Sequence, residues 1–320
     1  MFSSPLLYHA EGSFYSQRAR LGFEEKGIGY RKQLVNIHVG EQTEPWFIRL
    51  NPHGEVPVME HNKRIIIDSE AILDYLDQIV PEAPRFTPDP STDEGAKVKH
   101  FKILFKSVMI ELITFGTMLH PEIESGKKLL TSAQVQTKFG IAVKRMQKYA
   151  AKSPEMRGIY EGKIARTQTR LSKMLDLETC MNSIHHLEEV LVEVEEELSK
   201  VSFQESTGEA PWLCSRNFTI ADIYLSTILH RLVAVGLDQR YFSGRKRPHL
   251  EAYYQRVLKR RSFRRACGSS NSKFWSWVYP YFVFKFKHSV PSLVGIGILG
   301  LAVFAAYRYT DKFQMIRDKF

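Results

Sequence analysis

Cysteine is scarce, and acidic residues are nearly missing from one end of the chain. Three cysteines in 320 residues, Cys180, Cys214 and Cys267, are odd in number and widely spaced, with no histidines at ligand distance. This excludes a disulfide framework and a zinc finger, leaves no metal site to expect, and fits a reducing compartment. The opening segment MFSSPLLYHAEGSF has no basic stretch followed by a long apolar run, so no secretory signal is expected. Between Arg245 and Lys287, twelve Lys or Arg stand against Glu251 alone, so the net charge of +10 is concentrated near the C-terminus. With 43% hydrophobic and 25% charged residues, the chain has an ordinary folded composition and can bury one large core or two smaller ones.

One long uncharged run stands near the C-terminus. SVPSLVGIGILGLAVFAAY, residues 289–307, holds no charge over 19 residues. As a helix rising about 1.5 Å per residue it nearly spans a hydrocarbon layer roughly 30 Å thick, which predicts a single transmembrane anchor. Lys285, Lys287, Arg308 and Lys312 bracket it. Such an anchor is inserted after translation, leaving the large N-terminal part in the cytosol. Its dilution by Gly295, Gly297 and Gly300 and its basic flanks point to the mitochondrial outer membrane, with the peroxisome as a further location. Ala302 and Ala306 offer a small-xxx-small contact within it. The preceding SKFWSWVYPYFVFKFK, within residues 268–288, alternates aromatic rings with lysines and suits the headgroup zone. The helix before that, PHLEAYYQRVLKRRSFRRAC, has a charge that anionic lipid explains better than nucleic acid.

Residues 1–80 carry the order βαβαββα: strands over Leu6–Tyr8, Arg31–Val35, Val56–Glu60 and Ile65–Asp68, with helices from Ser16, near Glu44 and from Ser69. Gly27 and Gly29 end the first helix. PEAPRFTPDPST, residues 81–92, holds four prolines and is a linker. Residues 93–267 are helical in pattern, followed by the tail anchor at 289–307 and a short end at 308–320.

Pro57 interrupts the third strand. A proline removes a ladder donor, so it belongs at an edge, a bulge or a cis bond, where the backbone at Val56 can pair with an extended peptide. Downstream, DSEAI places Asp68 and Ser69 where a strand meets a helix N-terminus. Ser69 is placed to cap that helix; its hydroxyl and the first-turn amides can also bind a carboxylate, while Asp68 can receive an ammonium.

LYHAEGSFYSQRAR, LNPHGEVPV and DSEAILDYL resemble the thioredoxin-like half of the glutathione transferase superfamily, whose members carry NPxGxVP with a cis proline. The resemblance implies glutathione as ligand or substrate, its cysteinyl backbone on Val56 beside Pro57 and its γ-glutamyl end on Asp68 and Ser69. Asp68 stands where Glu or Gln is usual, one methylene shorter. It further implies a thiol-activating hydroxyl after the first strand, Ser13 in the serine-type position or Tyr8 about one residue off the tyrosine of other classes, helped by the helix N-terminus. In the helical half, Thr219-x-x-Asp222 is a capping box, with Phe218 able to staple onto Ile223.

About sixty residues between His120 and Ser183 exceed the usual helical domain and form an insertion, at about 120–183. Downstream, Leu187, Val190, Leu191, Val194, Leu198 and Val201 make an apolar stripe, with six glutamates between Glu188 and Glu197 expected on a solvated face. This insertion, together with EPWFIRLN, LHPEIES, PWLC, TILHRL, RPHLEAYYQRVLKRRSF and the anchor, is similar to the ganglioside-induced differentiation-associated protein 1 family. That resemblance implies a protein of the mitochondrial outer membrane facing the cytosol, acting in mitochondrial fission and redox balance, with glutathione or a hydrophobic small molecule bound. The alternative is a working membrane-bound transferase that conjugates glutathione to hydrophobic electrophiles. A homodimer and protein partners met through the insertion also follow from the resemblance.

Overall fold

The computed structural model describes residues 4–127, 130–202 and 211–268. The predicted span 289–307 and the aromatic segment before it lie outside them; no helix of the described residues is long and apolar enough to cross a membrane.

The first unit is a four-stranded sheet in the order β2-β1-β3-β4, built from β1 (Leu6–His9), β2 (Arg31–Leu34), β3 (Val58–His61) and β4 (Arg64–Ile67). β1 runs parallel to β2 and antiparallel to β3, and β3 and β4 form a hairpin. Its two-residue turn holds Asn62 and Lys63 at φ 49° and 63°, the left-handed pair that matches strand twist. Side chains alternate across the sheet. Leu7 and Met59 pack with Leu21 and Phe23 of α1 (Phe14–Lys26) and with Ile72, Leu73 and Leu76 of α3 (Ser69–Ile79). On the other face Val35, Val56 and Val58 cover Phe47 of α2 (Pro45–Leu50).

The helical unit starts with α4 (Asp93–Ser107) and α5 (Ile110–Leu119). The insertion is an antiparallel pair, α6 (Ser132–Lys152) and α7 (Arg157–Leu175), before the long α8 (Leu177–Ser202). At the centre lies α9 (Ile220–Val235), buried along nearly its whole length, flanked by α10 (Asp238–Tyr241), α11 (Pro248–Lys259) and α12 (Arg261–Cys267). Its predicted capping box is present. The Thr219 amide and hydroxyl both donate to Asp222 Oδ2, at 2.9 and 3.0 Å, while the Leu213 amide and the Tyr253 hydroxyl donate to Oδ1 at 3.0 and 2.9 Å.

Two expectations about charge are corrected. Leu187, Val190, Leu191, Val194 and Leu198 are buried as predicted, but the glutamates beside them are not simply solvated. Glu188 pairs with Arg247, Glu197 with Lys97 at 2.6 Å, and Glu195 accepts the His249 and Leu250 amides that open α11. Several cations assigned to lipid are likewise internal ties. Arg260 grips Glu25 of α1 through two bonds of 2.6 and 2.7 Å, and Arg256 lies 4.5 Å over the Trp212 ring. These cations hold α11 and α12 against the rest of the molecule, whereas Lys259, Arg261 and Arg264 are exposed.

Candidate functional site

The peptide bond between Val56 and Pro57 is cis, as the NPHGEVP pattern implies, and the β3 ladder begins only at Val58. Asn51 shapes the turn before it: its side-chain amide donates to the Glu55 carbonyl at 2.8 Å, and its Oδ1 accepts the His53 amide at 3.0 Å. Val56 therefore sits past the end of the sheet, at the wall shared by two cavities.

The smaller cavity, of about 550 Å³, is lined by Val56, Pro57, Asp68 and Ser69 with Arg18 and Lys106. All four residues that the resemblance gives to glutathione thus meet in one place. At the start of α3 the roles of the pair are exchanged relative to the sequence expectation. Asp68 is the N-cap, its Oδ1 accepting the Glu70 amide at 2.7 Å, and Ser69 is the first helical residue, buried. Asp68 reaches this position at φ 79°, a strained value for a residue with a Cβ. One carboxylate oxygen is thus engaged by the cap and the other is left for an ammonium, while Ser69 lines the cavity beside the positive helix end.

Charge around this cavity is held in place from the helical unit. Glu70 takes Lys102 at 2.7 Å, Lys106 at 2.8 Å and the Tyr224 hydroxyl at 3.2 Å. Burial pushes its carboxyl up, but the bonds from Lys102 and Lys106 outweigh that and hold it below the usual range. Arg18 is buried with its guanidinium 3.8 Å over the Tyr224 ring and 4.3 Å over Phe14, and Nε donates to Thr227 at 3.3 Å.

The larger cavity, of about 900 Å³, opens on the other side of Val56 and reaches under the insertion. Ser13 lies on its wall at the N-cap of α1, its hydroxyl accepting the Ser16 amide at 3.3 Å. That bond uses a lone pair and leaves the hydroxyl proton to be donated toward a thiolate. Tyr8 lines neither cavity. Its ring packs near Trp46 and Phe47, its hydroxyl reaches Glu60 at 3.4 Å, and burial together with the Glu60 carboxylate raises its pKa. Of the two candidate hydroxyls, the structure brings only Ser13 to the cavities. Apolar side chains of α5 and α6, among them Phe115, Met118, Val135 and Phe139, line the interior of the cavity.

Sequence reasoning missed Lys163 and Arg170. Both project from α7: Lys163 Nζ donates to the His53 and Gly54 carbonyls at 2.5 and 3.2 Å, and Arg170 pairs with Glu55 at 2.7 Å and Glu111 at 3.3 Å. The one signal available was helical spacing, since Lys163, Thr167 and Arg170 recur at i, i+4 and i+7 and all line the larger cavity. Among the described residues no cluster of His, Cys, Asp and Glu is placed to hold a metal ion.

A thioredoxin-like sheet with a cis proline, a polar helix start beside it and an all-helical second unit together define a glutathione S-transferase-like protein. Residues 7–84 match the family model of the glutathione S-transferase N-terminal domain, and residues 173–261 match that of the C-terminal domain. Ganglioside-induced differentiation-associated protein 1-like 1 of Homo sapiens is 30% identical over 97% of this chain and 87% of its own length. The chain belongs to the ganglioside-induced differentiation-associated protein 1 family, a glutathione-transferase-like family. Glutathione S-transferase TCHQD of Arabidopsis thaliana is 29% identical over 82% of this chain and 89% of its own. Among solved structures, a beta-etherase from Sphingobium superposes with a TM-score of 0.61 at 21% identity, covering 84% of this chain and all of that one. A theta-class glutathione S-transferase from Xanthomonas axonopodis, solved with glutathione bound, gives 0.51 at 18% identity over 82% and 97% of the two chains. Both share the fold.

Proposed function

We propose that this chain binds glutathione across Val56 and holds a hydrophobic second ligand in the larger cavity, as a tail-anchored regulator of mitochondrial shape and redox balance. The observation that carries the reading is the meeting of Val56, Pro57, Asp68 and Ser69 on one cavity that shares the Val56 wall with a larger, partly apolar one. An extended γ-glutamyl peptide suits it: main-chain pairing at Val56, an ammonium on Asp68, a carboxylate on Ser69 and the α3 amides. Anchoring by 289–307 in the mitochondrial outer membrane, with both folded units in the cytosol, is supported by the uncharged run and its basic flanks.

A second reading, a working transferase, is favoured by Ser13, whose hydroxyl stands at the N-terminus of α1 on the wall of the larger cavity. There it would stabilise the thiolate that attacks a hydrophobic electrophile.

Calorimetric titration of the full-length chain with glutathione tests the binding. Saturable heat at one site, lost in Ser69→Ala, is expected; no heat contradicts both readings, and binding without turnover of model electrophiles contradicts the second. Alkaline extraction of membranes tests the anchor: the full chain should stay in the pellet and a chain lacking 289–307 should be released.

A further inference from the structure

The insertion brings two cations to the candidate groove, Lys163 and Arg145, that are held without a carboxylate in direct contact among the described residues. Lys163 is buried, and its two carbonyl partners, His53 and Gly54, account for two of the three ammonium donors. Burial, joined by the nearby Arg170 and Arg166, pushes this ammonium down to about 8 against the opposing pull of the Glu55 and Glu111 carboxylates. A Cβ on Gly54, at φ 59°, would fall 2.8 Å from Lys163 Cε, so the glycine lets the lysine stem lie on the backbone two residues from Val56. Arg145 of the facing helix does the same at Gly40: a Cβ there, at φ 78°, would fall 2.6 Å from Nη1. Neither Lys163 nor Arg145 forms an ion pair with a carboxylate among the described residues, whereas Arg170 is taken by Glu55 and Glu111.

The two cavities order the groove. Asp68 and Ser69 line only the smaller one, Lys163 and Arg145 only the larger, and Val56 lines both. A peptide whose amino-acid head lies on Asp68 and Ser69 and whose middle pairs with Val56 sends its far end past Val56 into the larger cavity, on whose wall Lys163 and Arg145 both stand. We propose that the insertion completes the tripeptide site, with Lys163 and Arg145 receiving the glycyl carboxylate of glutathione. Ligand recognition then depends on a helical pair outside the thioredoxin-like unit, and docking of α6 and α7 is coupled to occupancy of the groove. The inference rests on the reading that glutathione binds at all, and its test separates the two.

Full-length chain is titrated calorimetrically with glutathione and with its glycyl ethyl ester, which keeps the head and thiol but removes the terminal charge. The ester is expected to bind about tenfold more weakly, the size of one charge-assisted hydrogen bond. Arg145→Gln and Lys163→Gln should each weaken glutathione while leaving the ester nearly unchanged, closing the gap between the ligands. Lys163→Gln also removes a tie to the backbone, so the ester comparison in the unsubstituted chain and in Arg145→Gln carries the decision. Equal affinity for glutathione and ester in the unsubstituted chain overturns this inference alone; no binding of either overturns it together with the proposed function.

Discussion

Ser13 is asked to do two things with one hydroxyl, and the geometry lets it do both. It caps α1 by accepting the Ser16 amide, and its proton remains for a thiolate in the larger cavity. Ser13→Ala should cost about 1 kcal/mol of stability through the lost cap. In transferase assays it should lower turnover on the order of 10²-fold, the usual loss for one donor to a developing anion. Tyr8→Phe should leave turnover intact, because its hydroxyl faces Glu60 away from both cavities. Matched rate measurements on the two variants check this, and equal losses would remove Ser13 from the role. Val56, Pro57, Asp68 and Ser69 could be singled out in the sequence by local rules, a proline in a strand and a strand running into a helix, whereas Ser13 was named only through the resemblance to glutathione transferases. The exchange of roles between Asp68 and Ser69 was not legible, since only the observed φ of 79° shows which residue stands outside the helix. Lys163 lies 110 positions from the His53 carbonyl it binds, and no local rule links residues so far apart.

The elements show the same division. The capping box that opens α9 was legible from Thr219 and Asp222 alone, but Asp222 also collects Leu213 and Tyr253 from elsewhere. It is fully buried and accepts four donors; burial raises its carboxyl above the usual range, and those bonds oppose the rise only in part. Asp222→Ala would strand the partners as well as the cap, and a loss of about 3 kcal/mol or more is expected in chemical denaturation. Asp222→Asn, which keeps the shape and part of the bonding, should cost less. The partners of Glu188, Glu195 and Glu197 in α8, and those of Arg256 and Arg260, were not legible in sequence because charge runs carry no record of their partners. Glu188 and Arg247 are 59 positions apart and close only when α8 and α11 pack. The insertion was legible as extra helix, whereas its contact with the Thr43 carbonyl through the Tyr160 hydroxyl at 3.1 Å was not.

At the scale of the molecule, the order of an α/β unit, a proline-rich linker and a helical unit was read from period and punctuation alone, and the matched N-terminal and C-terminal domain models support the two kinds of unit. What that order could not convey is that the insertion leans back over the first unit. Ile48 of α2 packs among Met146, Met156 and Tyr160, so α6 and α7 wall the larger cavity. A groove built jointly by the sheet edge, α3 and the insertion is the central claim. The most direct test is a crystal structure of the chain with glutathione bound. It should place the γ-glutamyl end on Asp68 and Ser69, the cysteinyl backbone on Val56, the thiol toward Ser13 and the glycyl carboxylate on Lys163 and Arg145. A tripeptide bound away from Val56, or a groove left empty at saturating glutathione, would contradict the account.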